Sequence, residues 1–236
     1  MDVLFHTTYI VMRYLVATGQ WYIKQTEIVD LSDPSKSCIL EDIPYRESST
    51  GGLLGTTPVI CGGWPIGVGS GSLNECLLYG TSQIITMNSK RHGHSSVALN
   101  DSMIWLLGGA IPFNYLHSTE FITTDGAVNG PTLPEAVSYH CAVKFKDNGF
   151  VYLIGGRTPS SNPTKNVWVS NPSTGFDFVV GPSLITARKY HNCGTMSIGS
   201  KNIIIAAGGF GTYPDMNYLS SIEILDPQSN QWVEGE

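Results

Sequence analysis

The stretch Ile104-Trp105-Leu106-Leu107-Gly108-Gly109 decides how this sequence is interpreted, because the chain repeats its pattern. Apolar runs end in a Gly pair at Gly62-Gly63, Gly108-Gly109, Gly155-Gly156 and Gly208-Gly209, with a degenerate copy at Thr18-Gly19. The four Gly pairs follow one another at intervals of 46, 47 and 53 residues. Periods of this size are typical of solenoids and propellers, in which each repeat is one structural unit.

Each unit shows the same order of segments, and we expect four short antiparallel strands in it. A continuous apolar run such as Val151-Tyr152-Leu153-Ile154 predicts a strand buried on both faces. A variable loop follows, and then comes a second strand that carries a Glu in most units: Glu27, Glu75, Glu120 and Glu223. A third strand carries an aromatic residue, and a fourth opens near His94, His140 or His191. Because four short strands cannot bury their own faces, the units must stack.

Five such units fill the chain, at about 1–46, 47–90, 91–136, 137–187 and 188–236, and together they form a single domain. The pattern resembles the kelch-repeat β-propellers, in which a Gly pair follows an apolar strand and an aromatic residue lies about six residues beyond an Asp. Asp226 and Trp232 have this spacing in the last unit. The resemblance implies an all-β fold of about five four-stranded blades, either complete or part of a larger, six-bladed propeller.

Composition agrees with a turn-rich β protein and argues against several partners. The 236 residues are 42% hydrophobic and only 14% charged, with 26 Gly and 13 Pro. A net charge of −6 argues against nucleic acid, since phosphate binding needs a basic face. No apolar run reaches the roughly 20 residues that span a bilayer, so we predict no membrane insertion. The N-terminus lacks the basic segment of a signal peptide, which favours a cytoplasmic location.

The five cysteines allow two interpretations. Cys61 and Cys76 fall in neighbouring antiparallel strands, where a disulfide is within reach, and Cys141 and Cys193 fall near the same place in successive units. Cys38 would then stay unpaired. The alternative is that all five are reduced and buried as small hydrophobic residues. Disulfides would indicate an oxidising, extracellular compartment instead of the cytoplasm.

Recurring His and Glu residues could suggest chemistry, but their positions favour structure. His94, His140 and His191 share one place in successive units, preceded by Arg91, Val137 and Arg188 respectively. Galactose oxidases, which resemble kelch propellers, hold copper with His and Tyr, so three such His could suggest a metal. A residue repeated at one place in each unit is better explained as a bond to the neighbouring blade. We therefore predict no catalytic residue, no metal and no cofactor.

The loops that follow the Gly pairs and the connections between units should emerge on one face of the propeller. Aromatic residues and arginines in such loops are typical of protein interfaces. The predicted partner-binding loop face consists of Trp21, Tyr22, Arg46, Trp64, Arg91, Phe113, Tyr115, Arg157, Arg188, Phe210, Tyr213 and Tyr218. Four of these are arginines in an acidic chain, which indicates a local positive spot for a carboxylate-bearing peptide. The alternative is that the aromatics cap the blades and the arginines pair with the repeated Glu.

The kelch resemblance implies a non-catalytic module that binds a protein or acidic peptide and acts as a scaffold or recruits substrates. It also implies a substrate adaptor of a ubiquitin ligase as one such role. Two alternatives stay open: an enzyme of the copper-oxidase or sugar-acid-isomerase kind, and an extracellular interaction module with disulfides. An open propeller would also expose blade faces, which predicts association through them.

Overall fold

The computed structural model describes residues 7–11, 14–18, 26–30, 38–40, 46–65, 71–112, 114–212 and 217–235. In the first four of these ranges only the backbone is considered. The described residues form 22 strands and contain no helix, so the predicted all-β fold is confirmed.

The first two sheets precede residue 90. The first contains β1 (Thr7–Val11), β2 (Tyr14–Thr18), β3 (Thr26–Asp30) and β4 (Cys38–Leu40). The second contains β5 (Thr50–Leu54), β6 (Thr57–Cys61), β7 (Glu75–Leu78) and β8 (Ile84–Thr86). In both sheets the strands follow chain order, and every neighbouring pair is antiparallel.

The remaining three sheets repeat this arrangement. The third contains β9 (Ser95–Asn100), β10 (Met103–Leu107), β13 (Thr119–Thr123) and β14 (Gly126–Asn129). The short hairpin of β11 (Ala110–Ile111) and β12 (Asn114–Tyr115) interrupts it. The fourth contains β15 (Cys141–Lys144), β16 (Val151–Ile154), β17 (Val167–Ser170) and β18 (Phe178–Val180). The fifth contains β19 (Asn192–Ile198), β20 (Lys201–Ala207), β21 (Ile222–Asp226) and β22 (Gln231–Gly235). Each of the five sheets lies within one predicted unit.

Successive sheets stack through their first strands and enclose apolar cores between them. β1 contacts β5, β5 contacts β9, β9 contacts β15, and β15 contacts β19. Between the fourth and fifth sheets, Ile154 and Val167 pack in one cluster with Ile204, Leu225 and Trp232. Similar clusters fill the gap between the second and third sheets and the gap between the third and fourth. Burying one such side chain contributes about 1.5–3 kcal/mol, so stacking supplies the stability that a lone sheet lacks.

The Gly pairs are explained by how closely these sheets approach. A Cβ on Gly155 would lie 2.7 Å from the carbonyl oxygen of Arg188, at the start of the next unit. The second Gly of the pair, Gly156, has φ +108°, which side chains rarely adopt, and its N–H donates to the same carbonyl at 2.8 Å. His191 occupies the space left by the pair, with its Cε1 against Gly155 and its Cβ against Gly209 of its own unit. The repeated His is therefore a wedge between neighbouring sheets.

Candidate functional site

The candidate site lies where the Gly-Gly strands end. Four-residue connections, here called the inner turns, precede the first strand of the second to fifth sheets: residues 46–49, 91–94, 137–140 and 188–191. Each inner turn forms a β-bridge with the residue that follows a Gly pair: Glu47 with Trp64, His92 with Ala110, Ser138 with Arg157, and Lys189 with Phe210. The loops after the Gly pairs and the inner turns therefore share one end of the molecule, as the sequence predicted.

A chain of backbone hydrogen bonds links the inner turns to one another. Gly93 N–H donates to Ser48 C=O at 2.8 Å, Tyr139 to Gly93 at 2.6 Å, and Tyr190 to Tyr139 at 2.9 Å. All four of these residues have positive φ, between 51° and 58°. This conformation is uncommon for residues other than Gly and costs about 1–3 kcal/mol for a bulky one. The fold therefore holds Tyr139 and Tyr190 in a strained conformation at this end.

Side-chain rings form a continuous row above these hydrogen bonds, which we call the aromatic belt: Trp64, His92, Tyr139, Tyr190, Phe210 and Tyr218. Successive ring centroids lie 5.1, 6.0, 4.1, 5.7 and 4.4 Å apart. Three of these separations fall in the range of about 4.5–7 Å typical of aromatic pairs, and the other two are slightly shorter. Tyr218 at one end is 63% exposed, and the other five are partly exposed. Burial, reinforced by Tyr190, raises the pKa of Tyr139, so its phenol stays protonated and able to donate.

Two cations lie at the middle of the belt. The Arg157 guanidinium lies 5.7 Å from the centre of the Tyr115 ring, a cation–π contact. Arg157 also donates to Ser161 Oγ at 3.1 Å, and Lys189 donates to the carbonyl of the same Ser161 at 3.4 Å. Burial, and then the charge of Arg157, lowers the pKa of Lys189. In the described part of the chain, neither cation forms an ion pair.

The other three arginines predicted on the loop face are buried, which corrects that prediction. Arg91 and Arg188 are fully buried and Arg46 is 7% exposed. Arg91 donates to Glu120 Oε1 at 2.6 Å and Arg188 to Glu223 Oε1 at 2.6 Å, while Arg46 reaches Glu75 at 3.0 Å. The inner turn points each arginine into its own sheet, where the guanidinium meets the Glu of the strand that follows the Gly pair. These arginines hold the turn and leave Arg157 as the arginine of the belt.

The paired carboxylates also anchor the preceding connection. Glu120 accepts hydrogen bonds from the N–H groups of Asn88 at 2.7 Å and Ser89 at 2.9 Å. Glu223 accepts the equivalent bonds from Ile185 and Thr186. Burial lowers the pKa of Arg91, and the carboxylate of Glu120 opposes that shift. The repeated Glu therefore has a structural role, as its recurrence indicated, and its pairing with arginine is the alternative that the sequence left open.

The structure brings together five of the predicted loop-face residues and adds four. Trp64, Tyr115, Arg157, Phe210 and Tyr218 lie at the belt or against it. Trp21, Tyr22, Phe113 and Tyr213 lie outside the described residues. Sequence reasoning missed His92, Tyr139, Lys189 and Tyr190. Their signal was present in the sequence, since each of the four lies one or two positions before a repeated His. We interpreted that segment only as a connection between units.

The three repeated His lie apart from the belt and are fully enclosed. Burial lowers the pKa of His140 to about 3, and burial together with Arg188 lowers the pKa of His191 to about 3. The pKa of His94 falls well below its usual value for the same reasons, burial first and then Arg91. His140 Nε2 shares a hydrogen bond of 2.7 Å with Ser95 Oγ of the preceding sheet. Within the described ranges, no three His, Cys, Asp or Glu residues converge on a point that could hold a metal.

Two disulfides reinforce the sheets. Both pairs considered from the sequence are joined. Cys61 and Cys76 are directly opposite on β6 and β7, within the second sheet. Cys141 on β15 and Cys193 on β19 are joined between the fourth and fifth sheets. At the equivalent place between the second and third sheets, Thr50 and Ser96 share a hydrogen bond of 2.7 Å. The expectation that Cys38 is unpaired concerns a side chain outside the described part.

Comparison with known proteins adds one finding at the last unit. A family model described as Kelch motif matches residues 191–236, which span the inner-turn His191 and all four strands of the fifth sheet. No curated protein matches the chain. In the described residues, no helix is long and apolar enough to cross a membrane. The motif coincides with one of five sheets built on the same plan, so we conclude that the chain carries a kelch motif and has the fold of a kelch-type β-propeller.

Proposed function

We propose that this protein is a non-catalytic binding module that takes a protein or peptide on the aromatic belt. Kelch domains commonly bind proteins, and the belt has the composition of an interface centre. Tyr, Trp and Arg are enriched in such centres, and Tyr and Trp bury much area with only two rotatable bonds. The observation that carries the proposal is the unbroken row of rings from Trp64 to Tyr218, with two cations beside it.

The cations favour an acidic segment of the partner. Arg157 and Lys189 lie close enough for the charge of one to lower the pKa of the other. Bringing a carboxylate between them would relieve this repulsion, and Arg offers two parallel donors to it. Both side chains already donate to Ser161, so binding a ligand would cost little further side-chain entropy of Arg157 and Lys189. We therefore infer that the ligand places Asp, Glu or a C-terminal carboxylate over Arg157.

A displayed library of random peptides would test this proposal. Peptides selected on the protein should be enriched in Asp and Glu next to an apolar residue. A rim variant with Arg157→Ala, Lys189→Ala and Tyr218→Ala should bind the best peptide at least about tenfold more weakly, which is about 1.4 kcal/mol.

A control variant with Lys90→Ala, Lys165→Ala and Val180→Ala removes two exposed cations and one exposed apolar side chain that are not part of the belt. It should bind within about twofold of the parent. The proposal fails if no peptide is enriched, or if the rim variant binds as well as the control.

The two disulfides lead us to propose an oxidising compartment for this module. Structural disulfides persist in secreted and extracytoplasmic proteins and are rare in the cytosol. This choice disfavours the cytoplasmic location and the ubiquitin-ligase adaptor role. Thiol titration of unfolded protein, purified with free thiols blocked at lysis, should detect one thiol of five. Detection of all five thiols would indicate a reducing compartment instead.

A further inference from the structure

The hairpin turn between β9 and β10 contains a tripeptide with the pattern of a modification site. Asn100-Asp101-Ser102 matches Asn-x-Ser/Thr, the acceptor pattern for N-linked glycans. Asn162-Pro163-Thr164 and Asn171-Pro172-Ser173 have the same two ends, but a Pro in the middle disqualifies them as acceptors. No other Asn of the sequence lies two residues before a Ser or Thr. The chain therefore offers a single acceptor tripeptide.

The geometry of this turn leaves the reacting atom of Asn100 accessible. Asn100, Asp101 and Ser102 are all exposed. Asn100 Oδ1 accepts hydrogen bonds from the N–H and the Oγ of Ser102, both at 2.9 Å. Hydrogen bonds to an amide oxygen polarise the amide and make a proton on its nitrogen easier to lose. Nδ2, the atom that would carry the sugar, has no hydrogen-bond partner in the part of the chain that the structure describes.

The turn between β17 and β18 provides a matched comparison within the same chain. Asn171 Oδ1 accepts from the N–H of Ser173 at 3.1 Å and from its Oγ at 2.6 Å, the same two bonds that Asn100 accepts. The residue between them is Pro172, where the acceptor tripeptide has Asp101. The two turns therefore share their side-chain geometry and differ in the residue that decides acceptance.

The acceptor lies at the end of the third sheet away from the aromatic belt. β9 begins at Ser95, directly after the inner turn 91–94, and ends at Asn100. Five steps of about 3.4 Å along this strand place Asn100 roughly 17 Å from the inner turn. The N–H of Gly55 in the second sheet donates to the carbonyl of Asp101, which fixes the backbone of the hairpin. A bulky hydrophilic group on Asn100 would therefore leave the belt uncovered.

We propose that Asn100 carries an N-linked glycan. The inference rests on the oxidising compartment proposed above, because N-glycans and structural disulfides are both features of secreted proteins. It does not depend on the peptide ligand. In the reaction, Asn100 Nδ2 forms a bond to C1 of an oligosaccharide held on a lipid diphosphate carrier. The bond from C1 to the diphosphate breaks, Nδ2 gives one proton to a base of the transferase, and the lipid diphosphate leaves with the electron pair.

Secretion of the 236-residue chain from a eukaryotic cell, behind a cleavable leader, tests this proposal. Mass spectrometry of its peptides should find a chain of N-acetylhexosamine and hexose on Asn100, and peptide-N-glycosidase should leave Asp at that position. Ser102→Ala should abolish the glycan, because it removes the hydroxyl of the acceptor pattern, and Ser102→Thr should retain it. The peptide that contains Asn171 is the control within the same sample and should carry no glycan.

The outcomes separate the acceptor site from the compartment. The proposal is overturned if Asn100 is unmodified in the secreted protein, if Ser102→Ala keeps the glycan, or if Asn171 is modified to the same extent. Thiol titration of the same sample measures the disulfides independently. One free thiol with an unmodified Asn100 would overturn the acceptor and leave the compartment standing. Five free thiols with a glycosylated Asn100 would contradict the disulfides and support the acceptor.

Discussion

The third and fourth sheets fill the same buried position below the inner turn with different side chains. In the third, Arg91 and Glu120 form a fully buried ion pair that holds the inner turn. In the fourth, Val137 stands where Arg91 would be, since each lies three residues before the repeated His. Trp168 stands where Glu120 would be, since each is opposite the residue two before its Gly pair. Val137 and Trp168 both belong to the apolar cluster between these two sheets. The fold therefore accepts an ion pair or an apolar pair at this place.

The replacement of the ion pair by apolar residues is accompanied by a change at a third position. Glu120 accepts a hydrogen bond from the N–H of Asn88, and Pro134 occupies the equivalent position in the next unit. Proline has no N–H, so the loss of the carboxylate leaves no donor unpaired at position 134. The three changes are consistent with one rule. A buried ion pair is replaceable as a set, whereas removing one member leaves an uncompensated buried charge.

The largest expected effect comes from removing one member of the buried ion pair in the third sheet. Arg91→Met should lower the free energy of unfolding by about 3–5 kcal/mol, because Glu120 would stay buried without its cation. Urea unfolding followed by tryptophan fluorescence measures this loss. Arg157→Met is the control, since its side chain lacks an ion pair among the described residues, and it should cost about 0.5 kcal/mol or less. Similar losses in the two variants would contradict the buried-pair interpretation.

The comparison also separates what the sequence could predict from what it could not. The four Gly pairs and the degenerate copy at Thr18-Gly19 predicted five sheets, because an apolar run and its repeat period can be counted in the sequence. The alternative that Arg pairs with the repeated Glu was visible in the sequence, and the structure favours it. The sequence could not show whether Arg91 turns inward or outward, since a backbone turn with positive φ decides that direction. Tyr139 and Tyr190 each directly precede a repeated His, so their recurrence was visible in the sequence. The contact between their rings was not, because the turn with positive φ brings them together.

A second, smaller effect is expected when both members are replaced. Arg91→Met with Glu120→Leu should restore at least about 1–3 kcal/mol relative to Arg91→Met alone, which makes the two changes strongly non-additive. The recovery should stay incomplete, because the N–H groups of Asn88 and Ser89 lose their acceptor. A double-mutant cycle in urea measures the coupling. If the losses simply add, the fourth unit tolerates Val137 and Trp168 for another reason.

The last expected effect, which is small for each pH unit, is a pH dependence that both kinds of sheet share. His140 lies three residues after the apolar Val137, and His191 lies three residues after the charged Arg188. Burial nevertheless lowers the pKa of both to about 3. Each imidazole is neutral in the folded protein and binds a proton near pH 6.5 when unfolded. Their contribution to stability is therefore complete above pH 6.5 and is lost as the pH falls towards 3. Each should add up to about 1.4 kcal/mol of lost stability for every pH unit in that window.

Replacing either His with Gln should remove the part of the pH dependence of stability that comes from one titrating imidazole. His140→Gln and His191→Gln should each reduce the slope of unfolding free energy between pH 6 and pH 4 by about 1.4 kcal/mol per unit. The two reductions should be equal, because burial between sheets dominates both pKa values and the charge of Arg188 acts on only one of them. Urea unfolding at several pH values measures each slope, and the parent controls for the carboxylates. A clearly smaller reduction for His140→Gln would show that the neighbouring arginine, and not the shared wedge position, keeps these imidazoles neutral.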